Sequence, residues 1–278
     1  MRVLILGCGD LGNRIGENLL QQDHLVYGAR RSLQRLAPGI QPLAWTLPND
    51  APELPPLDYI IYTLAADGFT PDAYRLAYLE GVETLISSLK RQKVSPKRIF
   101  FISSTGVFAQ ENGEEVDENS ATEPLDFSGQ LLLQGEEALY QSPWPVTVLR
   151  FSGIYGPGRE RMLRQVRAGE YPAATPLKFS NRIHIEDGAR ALVHLMTLDD
   201  QGTRLQELYL VSDCEPAPLQ EVTGWLAHQM GLRVKPGKSV PQRGGHKRIN
   251  SQRLRDSGFQ FRYPSYREGY APLLDANR

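Results

Sequence analysis

The chain has 278 residues, is 41% hydrophobic and carries a net charge of −1, enough for a full core as one large domain or a domain plus a lobe, and no sign of a general polyanion binder. Its two cysteines, Cys8 and Cys214, lie far apart, which suggests neither a disulfide framework nor a zinc site and fits a reducing, cytoplasmic compartment. No apolar run approaches the ~18 residues of a membrane span, and the short N-terminal run, leading into a glycine loop, does not read as a signal peptide.

Val3 to Leu6 is a continuous apolar run, the pattern of a strand buried on both faces of a parallel sheet. It enters Gly7-Cys8-Gly9-Asp10-Leu11-Gly12, a G-x-G-x-x-G, and a helical pattern follows. Gly7 permits the tight turn, Gly9 lets a pyrophosphate approach the backbone, and Gly12 lets the helix pack on the sheet. The helix start, with Asp10 and Leu11, would bring backbone N–H groups and a positive dipole end to the phosphates. This context predicts dinucleotide binding. Cys8 reads as a small residue that fits the loop.

A second strand is predicted over His24 to Gly28, ending in Ala29-Arg30-Arg31-Ser32. An NAD-preferring fold places an acidic residue there, on the ribose hydroxyls. Here Arg30, Arg31 and Ser32 stand instead. A guanidinium can pair bidentately with a 2′-phosphate and stack on adenine, so the reading is NADP over NAD, against a plain solvated turn. Residues 34–57 are rich in Pro and Leu, with a short strand near Leu43 to Thr46. Asp58 to Ala65 reads as a buried strand. Leu64, Ala65 and Ala66 at its end suit a backbone passing close to a cofactor, or an ordinary turn. Ala73 to Gln92 is helical, with Leu76, Leu79, Val82, Leu85, Ile86 and Leu89 on one face. Arg98 to Ser104 is another buried strand. The alternation predicts an α/β, Rossmann-like doubly wound parallel sheet.

Phe101-Ile-Ser-Ser-Thr-Gly-Val-Phe108 resembles the strand that carries the active-site Ser/Thr in extended short-chain dehydrogenase/reductases, the NAD(P)-dependent epimerase/dehydratase family. Leu149 to Gly158 (LRFSGIYGPG) resembles that family's segment entering the substrate region. Asn181 to Asp187 (NRIHIED) resembles its R-x-H-x-x-D signature, and Asn250 to Tyr270 its C-terminal helix and turn. The glycine spacing departs from the G-x-x-G-x-x-G of extended members and resembles the atypical branch, which includes bacterial YeeZ-like proteins.

The resemblance implies that Ser103 borders the cofactor, and that Ser104, with Thr105 beside it, holds a substrate hydroxyl or carbonyl. It also implies a Tyr-x-x-x-Lys pair, in which the lysine and the nicotinamide tune a tyrosine to act as acid or base near neutral pH. The aligned places hold Ser128 and Leu132, and none of the 12 tyrosines has a lysine four residues later. Leucine carries no charge, and serine is far too weak an acid. Tyr155 and His184 remain as substitutes, against the plainer roles of packed aromatic and structural histidine.

Residues 1–155, completed by about 181–212, read as the NAD(P)-binding Rossmann domain; 156–180 and 213–278 read as a small C-terminal substrate lobe. Gly158 to Arg167 is basic and partly helical, and 169–180 reads as loop. Arg182 to Met196 returns to the sheet domain, and Leu208 to Val211 is a further strand. Leu219 to Met230 is a helix ending at Gly231. Arg233 to Arg267 holds ten Lys/Arg and one acid, whereas Glu111 to Glu123 holds six acids and no base, read as a surface loop. The basic lobe favours a small anionic substrate such as a nucleotide-sugar diphosphate or carboxylate. It lacks the aromatic-interleaved stripe of a nucleic-acid binder. Residues 236–248 read as a flexible loop. Two functions remain: an NADP-dependent oxidoreductase or epimerase, or a non-catalytic NADP-binding regulatory protein. A monomer or homodimer and no metal are expected.

Overall fold

The N-terminal apolar run forms β1 (Arg2–Leu6), the first of seven strands in one sheet. The structure is a computed structural model that describes residues 1–49, 51–173, 176, 178–234 and 246–275. The other strands are β2 (Leu25–Ala29), β3 (Gln41–Leu43), β4 (Tyr59–Tyr62), β5 (Arg98–Ser104), β6 (Val146–Phe151) and β7 (Leu208–Val211). Their spatial order is β7-β6-β5-β4-β1-β2-β3. β1 pairs in parallel with both β2 and β4, placing Leu6 opposite Ala29 and Tyr62. The chain runs outward from β1 to β3 and then returns to β4, so the order reverses at β1. In doubly wound sheets that switch point is where ligands bind, outside the carboxyl ends of the strands.

Burial explains the continuous apolar runs. Val3, Leu4 and Ile5 are fully buried, as are all four residues of β4. Helices α1 (Asp10–Leu20), α2 (Gly81–Gln92) and α3 (Phe127–Tyr140) follow β1, β4 and β5. Leu4, Leu6, Ile60 and Phe101 pack with Val82, Leu85 and Leu89 of α2 and Leu139 of α3 in one core.

Several elements differ from the sequence reading. β4 ends at Tyr62, because the Thr63 hydroxyl turns back to donate to the Leu6 and Gly7 carbonyls at 3.0 and 2.9 Å. The third strand sits at Gln41–Leu43, ahead of its expected place, because the Trp45 N–H closes a turn onto the Leu43 carbonyl at 2.8 Å. The helix expected from Ala73 is an α segment, Pro71–Arg75, then a π turn, Leu76–Glu80, then α2. The π turn adds a residue to the ladder and rotates what precedes it. Leu76 therefore leaves the face of Val82, Leu85 and Leu89 and is 43% exposed.

The chain divides into two compact units: Met1–Val107, Glu123–Arg150 and Ala189–Tyr209; and Phe108–Thr122, Phe151–Gly188 and Leu210–Arg278. In the second, Arg182–His184 pairs in parallel with Gly153–Tyr155 rather than joining the seven-stranded sheet. Tyr155, Leu163, Val222, Leu226, Tyr266 and Tyr270 share its core. The acidic run is not wholly a surface loop: Glu114–Val116 is a strand paired in parallel with Lys247–Ile249. Burial of Val116 and Ile249 drives that pairing, with exposed Arg248 between two buried neighbours. Residues 247 and 248, expected in the flexible loop, are thus strand; 236–245 lie outside the described residues. Phe179–Ser180, expected as loop, pairs antiparallel with Ala217–Pro218.

Candidate cofactor and active site

The glycine loop is shaped by its own backbone. Gly7 and Cys8 both donate N–H to the Ala29 carbonyl at 3.0 Å, and Gly9 donates to the Gly7 carbonyl at 2.6 Å. These N–H groups fold the loop, so they are not spare donors for phosphate. The backbone N–H groups without an intrahelical partner are those of the first turn of α1, at Asp10, Leu11 and Gly12. Gly9, its N-cap, has no side chain to cap them. Gly7 has φ +74°, and a Cβ there would lie 2.6 Å from the backbone of Leu64. Gly12 is pressed against Ile5 and Thr63. At Gly9 a Cβ would meet only the Gly7 carbonyl, at 3.7 Å. Among the described residues, side-chain packing does not demand glycine there. Cys8 is buried, which pushes its thiol up to about 12, so it is an inert filler.

The two arginines point to different partners. Arg30 Nη1 donates to the Cys8 carbonyl at 3.2 Å and the Arg35 carbonyl at 3.0 Å, bracing the glycine loop. Arg31 is exposed and makes a bidentate pair with Asp67, both contacts at 2.6 Å. Ser32 precedes a short 3₁₀ turn, Leu33–Arg35, and its carbonyl accepts the Arg35 N–H. Leu64, Ala65 and Ala66 lie between the end of β4 and Asp67, with Leu64 against Gly7.

Ser103 is buried at the end of β5 and donates its hydroxyl to Glu136 Oε1 at 2.5 Å. Arg150 pairs with the same carboxylate through Nε (3.1 Å) and Nη2 (2.6 Å). Glu136 and Arg150 are 2% and 7% exposed, so the carboxylate is matched by charge and by hydrogen bonds inside the core. This triad was missed in the sequence. Its signal was Arg150 itself, a charge inside the apolar strand VTVLRF, which needs a buried partner.

Ser104 Oγ accepts the Gly106 N–H at 3.0 Å, and Thr105 is buried beside it. A Cβ on Gly129 of α3 would come within 3.3 Å of the Gly106 carbonyl, so the start of α3 abuts the Ser104 turn. Ser128 donates to Asp126 at 2.6 Å, and Asp126 also caps α3 through the Gly129 N–H. Leu132 is buried. The face of α3 that carries tyrosine and lysine in the wider resemblance here carries a serine bonded to the capping Asp126 and a core leucine.

Tyr155 and His184 belong to the second unit. Tyr155 is buried, stacks on Tyr270 (ring centroids 4.5 Å) and meets the His184 ring edge-on at 5.3 Å. Burial pushes its phenol further up, the opposite of the tuning an acid/base tyrosine needs. The rest of the R-x-H-x-x-D segment holds this unit together. His184 packs on Tyr263 at 3.9 Å, and Asp187 accepts the Arg262 and Tyr263 N–H groups at 2.9 and 2.7 Å.

Arg182 Nη1 lies 4.0 Å from Asp213 Oδ2, and among the described residues neither atom has a hydrogen-bond partner. Burial pushes the Asp213 carboxyl up to about 7, with Arg182 opposing the rise. The folded pKa lies above the unfolded value, so the native state holds the extra proton between about pH 4 and pH 7. Stability from this group is present below that window and lost as pH rises through it. Asp213→Asn should therefore lose less thermal stability than wild type between pH 5 and pH 8; parallel melting curves would show that Asp213 is already ionised when folded.

No family model matches the chain. Over 225 residues it is 29% identical to Protein YeeZ of Escherichia coli K12, an alignment covering 78% of this chain and 75% of that one. A solved Methylobacillus flagellatus protein assigned to the NAD-dependent epimerase/dehydratases is 35% identical, with a TM-score of 0.82 over 100% of this chain and 98% of its own. The human epimerase family protein SDR39U1, solved with NADPH, shares the fold at a TM-score of 0.80 and 21% identity, over 99% of each chain. With the glycine loop at the switch point of the same sheet, this chain belongs to the NAD(P)-dependent epimerase/dehydratase family.

Proposed function

We propose that the chain binds NADP(H) across the carboxyl ends of β1, β2 and β4 and acts as an oxidoreductase or epimerase on a small anionic or nucleotide-sugar-like substrate. The observation that carries this reading is Gly9: among the described residues a Cβ there would meet only the Gly7 carbonyl, at 3.7 Å, at a start of α1 with no side-chain cap. The α1 start would hold the pyrophosphate, Arg31 a 2′-phosphate, and Leu64 to Ala66 and Ser103 would border the cofactor. Bound there, a nicotinamide supplies or accepts a hydride. Ser104 takes the Gly106 N–H on its oxygen and keeps its own proton to donate to a substrate carbonyl or hydroxyl.

Charge-assisted pairing of this kind is worth about 1.5–3 kcal/mol, or ~10- to 100-fold in affinity. Arg31→Ala should therefore weaken NADPH by that factor and NADH by less than ~3-fold, read by calorimetry. Arg30→Ala should weaken both, because it braces the loop. Equal losses in Arg31→Ala would remove the 2′-phosphate assignment.

Much of the basic stretch is engaged inside the second unit. Lys247 is buried and donates to the Phe108 carbonyl at 2.7 Å. Arg253 lies 3.7 Å from Glu118, and Arg267 pairs with Glu215 and Glu221. Among the described residues of this stretch, Arg233, Arg248 and Arg262 stay exposed; Arg248 donates to the Gly113 carbonyl at 3.0 Å, so Arg233 and Arg262 carry the proposal of an anionic substrate.

A second reading, a non-catalytic NADP-binding regulatory protein, is favoured by Ser128 and Leu132 in place of the acid/base pair. NADPH oxidation against a panel of carbonyl compounds and nucleotide sugars separates the two. Turnover that Ser104→Ala abolishes supports the enzyme; NADPH binding with no turnover on any member supports the regulator.

A further inference from the structure

We infer that Asp67 is a specificity-determining residue of the cofactor site: its carboxylate occupies the edge of Arg31 that a 2′-phosphate takes, and so sets how strongly the chain prefers NADP(H) over NAD(H). The inference rests on the cofactor reading above and deepens it.

Three observations support it. First, Asp67 engages both terminal nitrogens of Arg31, Nη1 and Nη2, at 2.6 Å each. That is the two-pronged geometry by which a guanidinium holds a phosphate monoester, so carboxylate and phosphate compete for one set of donors. Second, Arg30 is turned away, onto the Cys8 and Arg35 carbonyls. Of the two arginines, Arg31 is therefore the one whose guanidinium faces an anion. Third, the sheet order fixes what the pair crosses. Asp67 follows β4 and Arg31 follows β2, and β1 lies between them. The two flanking strands are two spacings, about 10 Å, apart. The ion pair thus spans the end of β1, beside the glycine loop on which a dinucleotide would lie.

The energetics make Asp67 a moderator rather than a barrier. The Arg31 and Asp67 side chains are 69% and 63% exposed, so water screens the pair and it opens readily. Exposed pairs of this kind change an equilibrium by about five-fold at most. An incoming 2′-phosphate would break the pair and leave its own negative charge beside the displaced carboxylate. NADH brings no such group and leaves the pair in place. Asp67 should therefore weaken NADPH specifically. Removing its charge should sharpen the preference for NADP(H).

The test is a titration of wild type, Asp67→Asn, Arg31→Ala and the double variant with NADPH and NADH at low ionic strength. Asp67→Asn should tighten NADPH by about three- to five-fold and change NADH by less than about two-fold. In the Arg31→Ala background the same substitution should have a smaller effect on NADPH, because the donors it competes for are gone. If Asp67→Asn leaves NADPH unchanged while Arg31→Ala still weakens it selectively, the inference fails and the cofactor reading stands. A loss of both cofactors in Asp67→Asn would make Asp67 a strap over the adenosine and would also overturn the inference. If Arg31→Ala alters neither cofactor, the 2′-phosphate site itself is elsewhere, and both claims fall.

Discussion

Gly9→Val is expected to abolish binding of both NADPH and NADH while leaving the fold in place. The reason lies in the contrast between two glycines of one loop. Gly7 has φ +74°, and any Cβ there would lie 2.6 Å from the Leu64 Cα and N, so the fold itself demands it. Gly9 has φ −85°, outside the left-handed region, and among the described residues its Cβ would have one neighbour, at 3.7 Å. A valine at an N-cap costs about 1 kcal/mol relative to a good cap, so the melting temperature should drop by only ~2–4 °C. The isopropyl group would stand where the proposed site brings the pyrophosphate to the loop. Affinity for both dinucleotides should fall by at least ~100-fold, about 3 kcal/mol. Gly7→Val should behave oppositely, with loss of the folded state as its first effect. A Gly9→Val protein that binds NADPH unchanged would mean the loop is not the pyrophosphate site.

Glu136→Ala is expected to be the most damaging single change to the first unit away from the loop. It removes the carboxylate that Arg150 and Ser103 share, and leaves the guanidinium buried without that counter-charge. Breaking one side of a buried pair costs about 3–5 kcal/mol. Thermal melting should show a drop of ~6–20 °C. Replacing both charges, as Glu136→Leu with Arg150→Met, should recover most of it, because neither buried charge of the pair is then left without its partner. The pair joins α3 to β6, one strand in from the edge of the sheet, and holds Ser103 of β5, next to Ser104. If Glu136→Ala melts within 2 °C of wild type (under about 1 kcal/mol), the triad is not what ties α3 to the sheet.

The parts legible in the sequence were those set by local pattern. β1, the glycine loop and β5 read directly, because strands buried on both faces are continuous apolar runs and the G-x-G-x-x-G sits between strand and helix. The register of the long helix before β5 did not, because the π turn at Leu76–Glu80 depends on hydrogen bonding rather than on hydrophobic period. Nor did the pairing of Glu114–Val116 with Lys247–Ile249, whose partners are distant in the chain and whose charges read as an acidic surface loop and a basic patch. At the candidate site the sequence gives residue types but not partners. Arg30 and Arg31 looked equivalent as neighbours, yet one braces the loop and the other holds Asp67. Ser128 stood out only as a missing tyrosine; its bond to Asp126 shows that the position serves the helix cap.

The proposed hold of the glycine loop and Arg31 on a phosphorylated dinucleotide is tested by calorimetric titration of the purified chain with NADPH and, separately, NADH. NADPH should bind saturably and at least ~10-fold tighter than NADH, a difference of about 1.4 kcal/mol from the 2′-phosphate. Equal affinities would contradict the assignment of Arg31, and heat from neither cofactor would contradict the dinucleotide site itself.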